Sequence, residues 1–208
     1  MGRAYFIGGA PRVCKSTLAL KFQERQSLIC ASTDSLRETL RATTSPAHQP
    51  DLFYLDSLNS DEPNMAHLMQ YRTADIIAAA DRESEAVWPA VEAFVSKHID
   101  TNRDVLVEGV AILPHLITTL AVDYSVIYLG NQSPSQSQVI KEFAATHPDT
   151  WLGTLHPQTV AAFAHFCQSY SLHQKKQAAK FKQPYLEMSA HPFPEALQLA
   201  LTKLMPIK

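Results

Sequence analysis

Residues 9–16 of this 208-residue chain read Gly9-Ala10-Pro11-Arg12-Val13-Cys14-Lys15-Ser16. The stretch matches the template G-x-x-x-x-G-K-[ST] of a phosphate-binding loop, the P-loop, at every fixed position except Cys14. An apolar run over residues 4–7 precedes it, and a helical pattern opens at Lys15. Because strand, spacing, Lys-Ser pair and helix coincide, we interpret the segment as a P-loop. The alternative is a tight strand-to-helix turn in which Lys15 and Ser16 are ordinary first-turn residues.

The P-loop interpretation assigns a role to each part of the segment. Backbone N–H groups of such a loop surround a phosphate, and the following helix adds the positive end of its dipole. Lys15 would then place its charge between the β- and γ-phosphates, and the Ser16 hydroxyl would be a ligand of Mg²⁺. The predicted nucleotide-binding residues are Gly9, Ala10, Pro11, Arg12, Val13, Cys14, Lys15, Ser16 and Thr17.

Cys14 stands where the template has its second glycine. A side chain there narrows the room for phosphate, and it strains the backbone if the position needs a glycine-like conformation. Because cysteine is small, we expect weakened rather than abolished binding. A reactive thiolate beside Lys15 is the alternative to a small side chain that the loop tolerates, and we prefer the second interpretation.

Composition predicts one globular domain, because the chain has 208 residues of which 46% are hydrophobic. Eighteen Lys and Arg against twenty Asp and Glu give a net charge of −2, so no positive field favours nucleic acid or an anionic membrane. No apolar run approaches the roughly 20 residues that span a bilayer. The N-terminus does not resemble a signal peptide, and the three cysteines include no close pair. We therefore expect a cytoplasmic protein that binds neither nucleic acid nor membrane, with its oligomeric state left open.

Short apolar runs alternate with helical patterns along the chain. This alternation predicts a mostly parallel sheet covered on both faces. The predicted strands are 4–7, 27–31, 104–108, 123–129 and 185–188, and the predicted helices are 15–26, 34–42, 64–80, 84–98, 135–146, 157–180 and 194–205. Residues 43–63 lack a clear period and contain an aromatic island, residues 53–55, that we expect to pack this segment.

Three segments carry a resemblance to a known family. They read Ile7-Gly8-Gly9-Ala10-Pro11-Arg12-Val13-Cys14-Lys15-Ser16-Thr17, Ser32-Thr33-Asp34-Ser35-Leu36-Arg37-Glu38 and Val107-Glu108-Gly109-Val110. In this order they resemble the P-loop small-molecule kinases, a superfamily similar to the nucleoside-monophosphate kinases. Within that superfamily they are most similar to the 2-phosphoglycerate kinase-like group. The guanine-specific Asn-Lys-x-Asp run is missing after the later strand, where residues 130–133 read Gly-Asn-Gln-Ser, so ATP is the expected nucleotide.

The resemblance implies an α/β fold of three layers, the P-loop NTPase fold, with a five-stranded parallel sheet in the order 2-3-1-4-5 and helices on both faces. It implies a single domain over 1–208, with an acceptor-binding insertion at about 43–83 and a lid at about 131–183. It also implies a kinase that uses ATP and Mg²⁺ to phosphorylate a hydroxyl of a small metabolite.

The resemblance places the remaining site residues. Asp34 would lie beside the γ-phosphate and the acceptor hydroxyl, although it could instead cap the helix over 34–42. Arg37 and Arg41, four residues apart, would bind an acidic group of the acceptor unless they belong to a solvated helix face. Glu108 would bind Mg²⁺ with Ser16, or the acceptor, unless it is a plain strand-end acid. The predicted catalytic residues are Lys15, Asp34 and Arg37.

One departure from the family keeps a second interpretation open. Lids of such kinases usually supply arginines, whereas residues 131–183 contain none. Together with Cys14, this favours as the alternative a nucleotide-binding regulatory or interaction module with weak or no turnover. A toxin-like kinase acting on a sugar nucleotide is a variant of the kinase interpretation.

Overall fold

The computed structural model of the chain describes residues 2–58 and 70–205, and its centre is a five-stranded sheet. The strands are β1 Ala4–Gly9, β2 Ile29–Ser32, β3 Val105–Glu108, β4 Tyr124–Gly130 and β5 Tyr185–Glu187. They pair in the order β2-β3-β1-β4-β5, and every pairing is parallel. The predicted α/β fold with strand order 2-3-1-4-5 is confirmed.

Helices connect the strands and cover both faces of the sheet. They are α1 Lys15–Gln23, α2 Thr33–Arg41, α3 Tyr54–Ser57, α4 Thr73–Asp100, α5 Pro114–Ile117, α6 Pro134–Thr146, α7 Pro157–Lys180 and α8 Phe193–Leu204. Most buried side chains of α1, α6, α7 and α8 belong to one hydrophobic cluster, and most of those of α4 and α5 belong to a second; Ile76 of α4 joins the first and Ala178 of α7 joins the second. The central strand β1 supplies Tyr5 and Ile7 to the first cluster and Phe6 to the second. Burial on both faces explains why β1 is apolar at every position.

The predicted break between helices 64–80 and 84–98 is wrong, because helix α4 spans it. The structure has one continuous helix from Thr73 to Asp100, which runs through positions 81–83 and through Pro89. Residues 71 and 72 of the predicted helix 64–80 are not helical, and residues 64–69 lie outside the described part. Polar residues mark the expected break, but their partners hold them within the packed helix. Asp81 accepts a hydrogen bond from the Tyr170 hydroxyl at 2.8 Å, and Glu83 pairs with arginines of α2.

The carboxyl edge of the sheet gathers the predicted functional residues. Glu108, the last residue of β3, lies in register with Ile7 of β1 and with Ser32 of β2. The loop after β1 and the start of α2 therefore begin at the same edge as Glu108. Gly109 allows this close approach, since its φ is +148° and a Cβ there would collide with the Thr33 side chain.

Residues 43–58, the first part of the predicted insertion, fold against α2 and α4. A 3₁₀ turn, Pro50–Phe53, leads into α3. The guanidinium of Arg41 lies 5.1 Å from the Phe53 ring centroid, and that of Arg82 lies 4.2 Å from the Tyr54 ring centroid. These contacts confirm that the aromatic island packs the segment.

None of the helices in the described residues combines the length and the apolar character that crossing a bilayer requires.

Candidate active site

The loop between β1 and α1 has the backbone of a phosphate cradle. Gly9 has φ +127°, and a Cβ there would collide with the Leu129 carbonyl oxygen, so only glycine fits this turn. Two further residues of the loop, Arg12 with φ 61° and Cys14 with φ 67°, adopt left-handed conformations without being glycine. Cys14 thus occupies the glycine-like conformation that the template predicts at its position. Such a conformation costs a non-glycine residue about 1–2 kcal/mol.

The thiol of Cys14 does not have the environment of an activated nucleophile. Cys14 is exposed at the wall of the cavity above the loop, where partial desolvation raises the pKa of its thiol. The charges of Arg12 and Lys15 act in the opposite direction but are the smaller effects. This supports a small residue tolerated by the loop rather than a reactive thiolate.

Lys15 is a buried cation at the start of α1. The residue is 8% exposed, and its Nζ donates a hydrogen bond to the Ala10 carbonyl oxygen at 2.6 Å. Burial lowers the pKa of Lys15, while the carboxylates of Glu108 and Asp34 act against that shift. None of the ion pairs within residues 2–58 and 70–205 includes Lys15. A buried ammonium of this kind is stabilised by a bound anion.

The N-terminus of α1 points to the same ligand. Among the residues that the structure describes, no side chain caps this helix, and its first turn contains no acidic residue. The first N–H groups of a helix need partners from outside the helix, and the helix dipole favours an anion there. By contrast α2 is capped, because the Ser32 hydroxyl accepts a hydrogen bond from the Ser35 N–H at 3.1 Å.

Ser16 and Glu108 lie together, although 92 residues separate them in sequence. The Ser16 hydroxyl donates a hydrogen bond to the Glu108 carboxylate at 2.9 Å. Burial raises the pKa of Glu108, with Lys15 and the Ser16 hydrogen bond opposing the shift. Two hard oxygen donors beside the predicted phosphate site fit Mg²⁺, which usually takes one or two protein ligands together with phosphate oxygens and water. Within residues 2–58 and 70–205, no group of three or more His, Cys, Asp or Glu is placed to hold a metal ion.

Asp34 does not cap α2, because Ser32 fills that position. It lies in the first turn of α2 with its side chain 68% exposed, and it lines the same cavity as the loop. Nη1 of Arg37 lies 3.9 Å from Oδ1 of Asp34. Since capping does not occupy this carboxylate, Asp34 has a side chain available for a ligand in the cavity.

Arg37 and Arg41 pair with the chain's own carboxylates. Nη1 of Arg37 and Nη2 of Arg41 each lie 3.2 Å from an oxygen of Glu83, whose side chain is 5% exposed. Arg41 also lies 3.2 Å from Asp56 and donates to the Leu52 carbonyl oxygen at 2.9 Å. Both guanidinium groups therefore hold α2 against α4. Their predicted role in acceptor binding stays a prediction.

A cavity of about 780 Å³ opens above the loop, a size typical of small-molecule sites. Loop residues 11–17, Asp34 and Glu108 line it, while Gly9 and Ala10 form the base of the loop outside the lining. Arg37 lies instead beside a neighbouring space of about 40 Å³, which is too small for a metabolite. The structure thus brings together most of the predicted P-loop residues with Asp34 and Glu108.

The far wall of this cavity is aromatic and apolar, and sequence reasoning missed it. Val139 and Phe143 come from α6, Trp151 from the connection to α7, and Phe163 from α7. Gln136, which is 3% exposed, lines the same wall. The spacing of positions 136, 139 and 143 places them on one face of a helix, but that pattern alone does not distinguish a cavity wall from core.

Several solved structures are similar to this chain over almost its whole length. A gluconokinase from Sinorhizobium meliloti 1021 is 14% identical, with 98% of this chain and 91% of that chain covered and a TM-score of 0.47. A sugar kinase from Janibacter sp. HTCC2649 is 15% identical, with coverage of 98% and 95% and a TM-score of 0.49. A shikimate kinase from Bacteroides thetaiotaomicron is 12% identical, with coverage of 98% and 96% and a TM-score of 0.48.

No protein-family model and no curated protein matches the chain. Identities and TM-scores as low as those of the similar structures do not transfer an activity. The function proposed below therefore depends on the contacts of this chain's own residues.

Proposed function

We propose that this protein is a kinase that transfers the γ-phosphoryl group of ATP–Mg²⁺ to a hydroxyl group of a small metabolite. The observation that carries the proposal is the buried Lys15 ammonium at the N-terminus of α1, whose one hydrogen-bond partner among residues 2–58 and 70–205 is a carbonyl oxygen. The carboxylates of Glu108 and Asp34 offset the burial of this charge only in part, and a phosphate supplies further negative charge. The Ser16–Glu108 pair and Asp34, all facing the same cavity, support phosphoryl transfer beyond simple anion binding.

Each residue has a specific task in this proposal. Lys15 and the loop amides bind the β- and γ-phosphates. Ser16 and Glu108 would hold Mg²⁺, which supplies neutralisation of charge on the phosphate oxygens. Glu108 must be ionised for this task, and its burial makes ionisation harder in the absence of a cation.

The reaction at the acceptor involves Asp34. The acceptor hydroxyl oxygen forms a bond to the γ-phosphorus while the bond from that phosphorus to the β–γ bridging oxygen breaks. ADP leaves with the electron pair of the broken bond, and the hydroxyl proton passes to the Asp34 carboxylate. Arg37, whose Nη1 lies 3.9 Å from the Asp34 carboxylate, lines the neighbouring small space rather than the cavity, so it would bind the acceptor only through an acidic group that extends past Asp34.

The test is ADP release in a coupled assay across a panel of hydroxylated metabolites, with ATP binding followed by calorimetry. We expect Lys15→Ala to reduce turnover by about a hundredfold or more, because it removes a charge aimed at the transferred group. Lys21→Ala is the matched control, since Lys21 is exposed on the same helix. Equal turnover in the two variants would contradict the proposal.

Asp34→Asn separates catalysis from binding. We expect unchanged ATP affinity and turnover lowered by about a hundredfold, the smaller end of what a general base contributes. Asp100→Asn is the control, because Asp100 is an exposed residue at the end of α4. Normal turnover of Asp34→Asn would show that the proton goes elsewhere.

A second candidate function is a nucleotide-binding module without turnover. The left-handed Cys14 in the loop and the absence of arginine from residues 131–183 favour it. Magnesium-dependent ATP binding without ADP release from any acceptor in the panel would support this candidate over the kinase.

A further inference from the structure

Helix α6 holds Arg12, a loop residue, by two contacts. The guanidinium carbon of Arg12 lies 4.1 Å from the centroid of the Phe143 ring. The backbone carbonyl of Arg12 accepts a hydrogen bond from the Gln136 side-chain amide at 3.3 Å. Gln136 and Phe143 are seven residues apart, so they lie on one face of α6. That face therefore fixes both the backbone and the side chain of Arg12.

The guanidinium keeps its hydrogen-bonding capacity. Its five N–H donors lie in the plane of the group, and its carbon lies over the face of the Phe143 ring. Throughout residues 2–58 and 70–205, no ion pair includes Arg12 and no hydrogen bond comes from its side chain. Arg12 differs in this from Arg37 and Arg41, which pair with Glu83.

The charges around the cavity explain why such a donor matters. Arg12 and Lys15 are the cations that line it in the described part of the chain, and Asp34 and Glu108 are the anions. A triphosphate adds several negative charges to this balanced set. Residues 131–183, which form the opposite wall, contain no arginine, and the cavity lining includes no lysine from them.

We propose that Arg12 binds the phosphate tail of the nucleotide, with Phe143 as its platform, and supplies from within the loop a positive charge that the cavity-lining residues of α6 and α7 do not supply. The inference rests on the proposed function in taking a triphosphate as the ligand. A guanidinium can bind two phosphate oxygens at once, and holding it in place beforehand reduces the entropy lost on binding.

The probe is inorganic tripolyphosphate with Mg²⁺, titrated by calorimetry beside ATP. We expect Arg12→Ala to weaken both ligands by the same factor, about ten- to a hundredfold, the effect of one charge-assisted hydrogen-bonding group. We expect Phe143→Leu, which keeps apolar volume but loses the ring face, to weaken them by about two- to fivefold. Arg25→Ala is the control, because Arg25 is an exposed residue that donates a hydrogen bond to the Gln198 side chain on α8.

Arg12→Gly excludes an effect of the backbone. Glycine removes the side chain and also the left-handed strain, so equal weakening in Arg12→Ala and Arg12→Gly identifies the side chain as the cause. Thermal unfolding of each variant checks that the fold is retained.

Three results would overturn the inference. The first is that both Arg12 variants bind tripolyphosphate with wild-type affinity. The second is that the variants weaken the binding of ATP but not of tripolyphosphate, which would assign Arg12 to the adenine base of the nucleotide. The third is that the wild type does not bind tripolyphosphate. The proposed function fails on a different result, the absence of ADP release from every acceptor. Because tripolyphosphate binding needs no acceptor and no turnover, the two failures are distinguishable.

Discussion

Replacing Cys14 by glycine tests how the loop is strained. Cys14 has φ 67° and ψ 28°, and relieving a left-handed non-glycine residue is worth about 1–2 kcal/mol. Glycine loses more backbone freedom on folding, which offsets about 0.5–1 kcal/mol of that gain. Cys14 is exposed and its side chain caps nothing, so little packing is lost. We therefore expect Cys14→Gly to be more stable than the wild type by about 0.5–1 kcal/mol.

The assay is thermal and urea unfolding of wild type, Cys14→Gly and Cys14→Ala. For a chain of this size the gain corresponds to a rise in Tm of about 1–4 °C. Cys14→Ala is the matched control, because it removes the thiol while keeping the Cβ in the left-handed conformation. We expect its Tm to stay near that of the wild type.

The same variants test whether the side chain crowds the phosphate. Cys14 lines the cavity, so Cys14→Gly should bind ATP more tightly than Cys14→Ala if the Cβ narrows the loop. A Cys14→Gly protein no more stable than Cys14→Ala would refute the strain reasoning. If Cys14→Gly and Cys14→Ala bind ATP with equal affinity, Cys14 no longer supports the interpretation as a nucleotide-binding module without turnover.

Two further predictions concern buried carboxylates. Burial raises the pKa of the Glu108 carboxyl in the folded protein. Ionisation of Glu108 therefore begins to lower the stability of the fold above the ordinary glutamate pKa near 4.3, and the loss of stability is complete once the pH exceeds the raised pKa. The gain in Tm of Glu108→Gln over wild type, measured without Mg²⁺, should thus be small at pH 4 and grow toward pH 8; a constant difference would contradict this. Glu83→Gln should destabilise the protein by about 2 kcal/mol or more in urea unfolding, because it leaves Arg37 and Arg41 without their shared carboxylate. Glu85→Gln, exposed on the same helix, is the control, and equal effects would show that the pairs contribute nothing.

Local signals explain what the sequence could predict. The apolar strand, the loop spacing and the Lys-Ser pair are contiguous, so the P-loop is visible without tertiary information. Glu108 and Asp34 could be placed near it because parallel strands end at a common edge of the sheet. The sequence could not predict which residue caps α2, because Ser32 and Asp34 are both good N-cap residues and lie only two positions apart. Only the hydrogen bond to Ser35 decides it.

Long-range pairing explains what the sequence could not predict. Glu83 lies 46 residues from Arg37, and nothing in the local pattern of α2 shows that its arginines will be used to pack α4. Gln136 is 124 residues from Arg12, so the contact between α6 and the loop is equally invisible in sequence. The predicted gap between helices 64–80 and 84–98 contains Asp81, whose hydrogen-bond partner Tyr170 lies on the distant helix α7 and is equally invisible in the local sequence.

The two left-handed residues of the loop differ in what offsets their strain. Converging N–H groups require positive φ at certain positions, and both Arg12 and Cys14 occupy such positions without being glycine. For Arg12 the offset is visible, since Gln136 bonds its carbonyl and Phe143 stacks on its side chain. The Cys14 carbonyl accepts a hydrogen bond only from the backbone of α1 itself, from the Leu18 N–H at 3.0 Å, and among the described residues the Cys14 side chain makes no capping hydrogen bond. Strain kept in a folded protein marks function where the surrounding contacts enforce it. Glycine should therefore relieve strain at both positions, but it should cost phosphate binding only at Arg12.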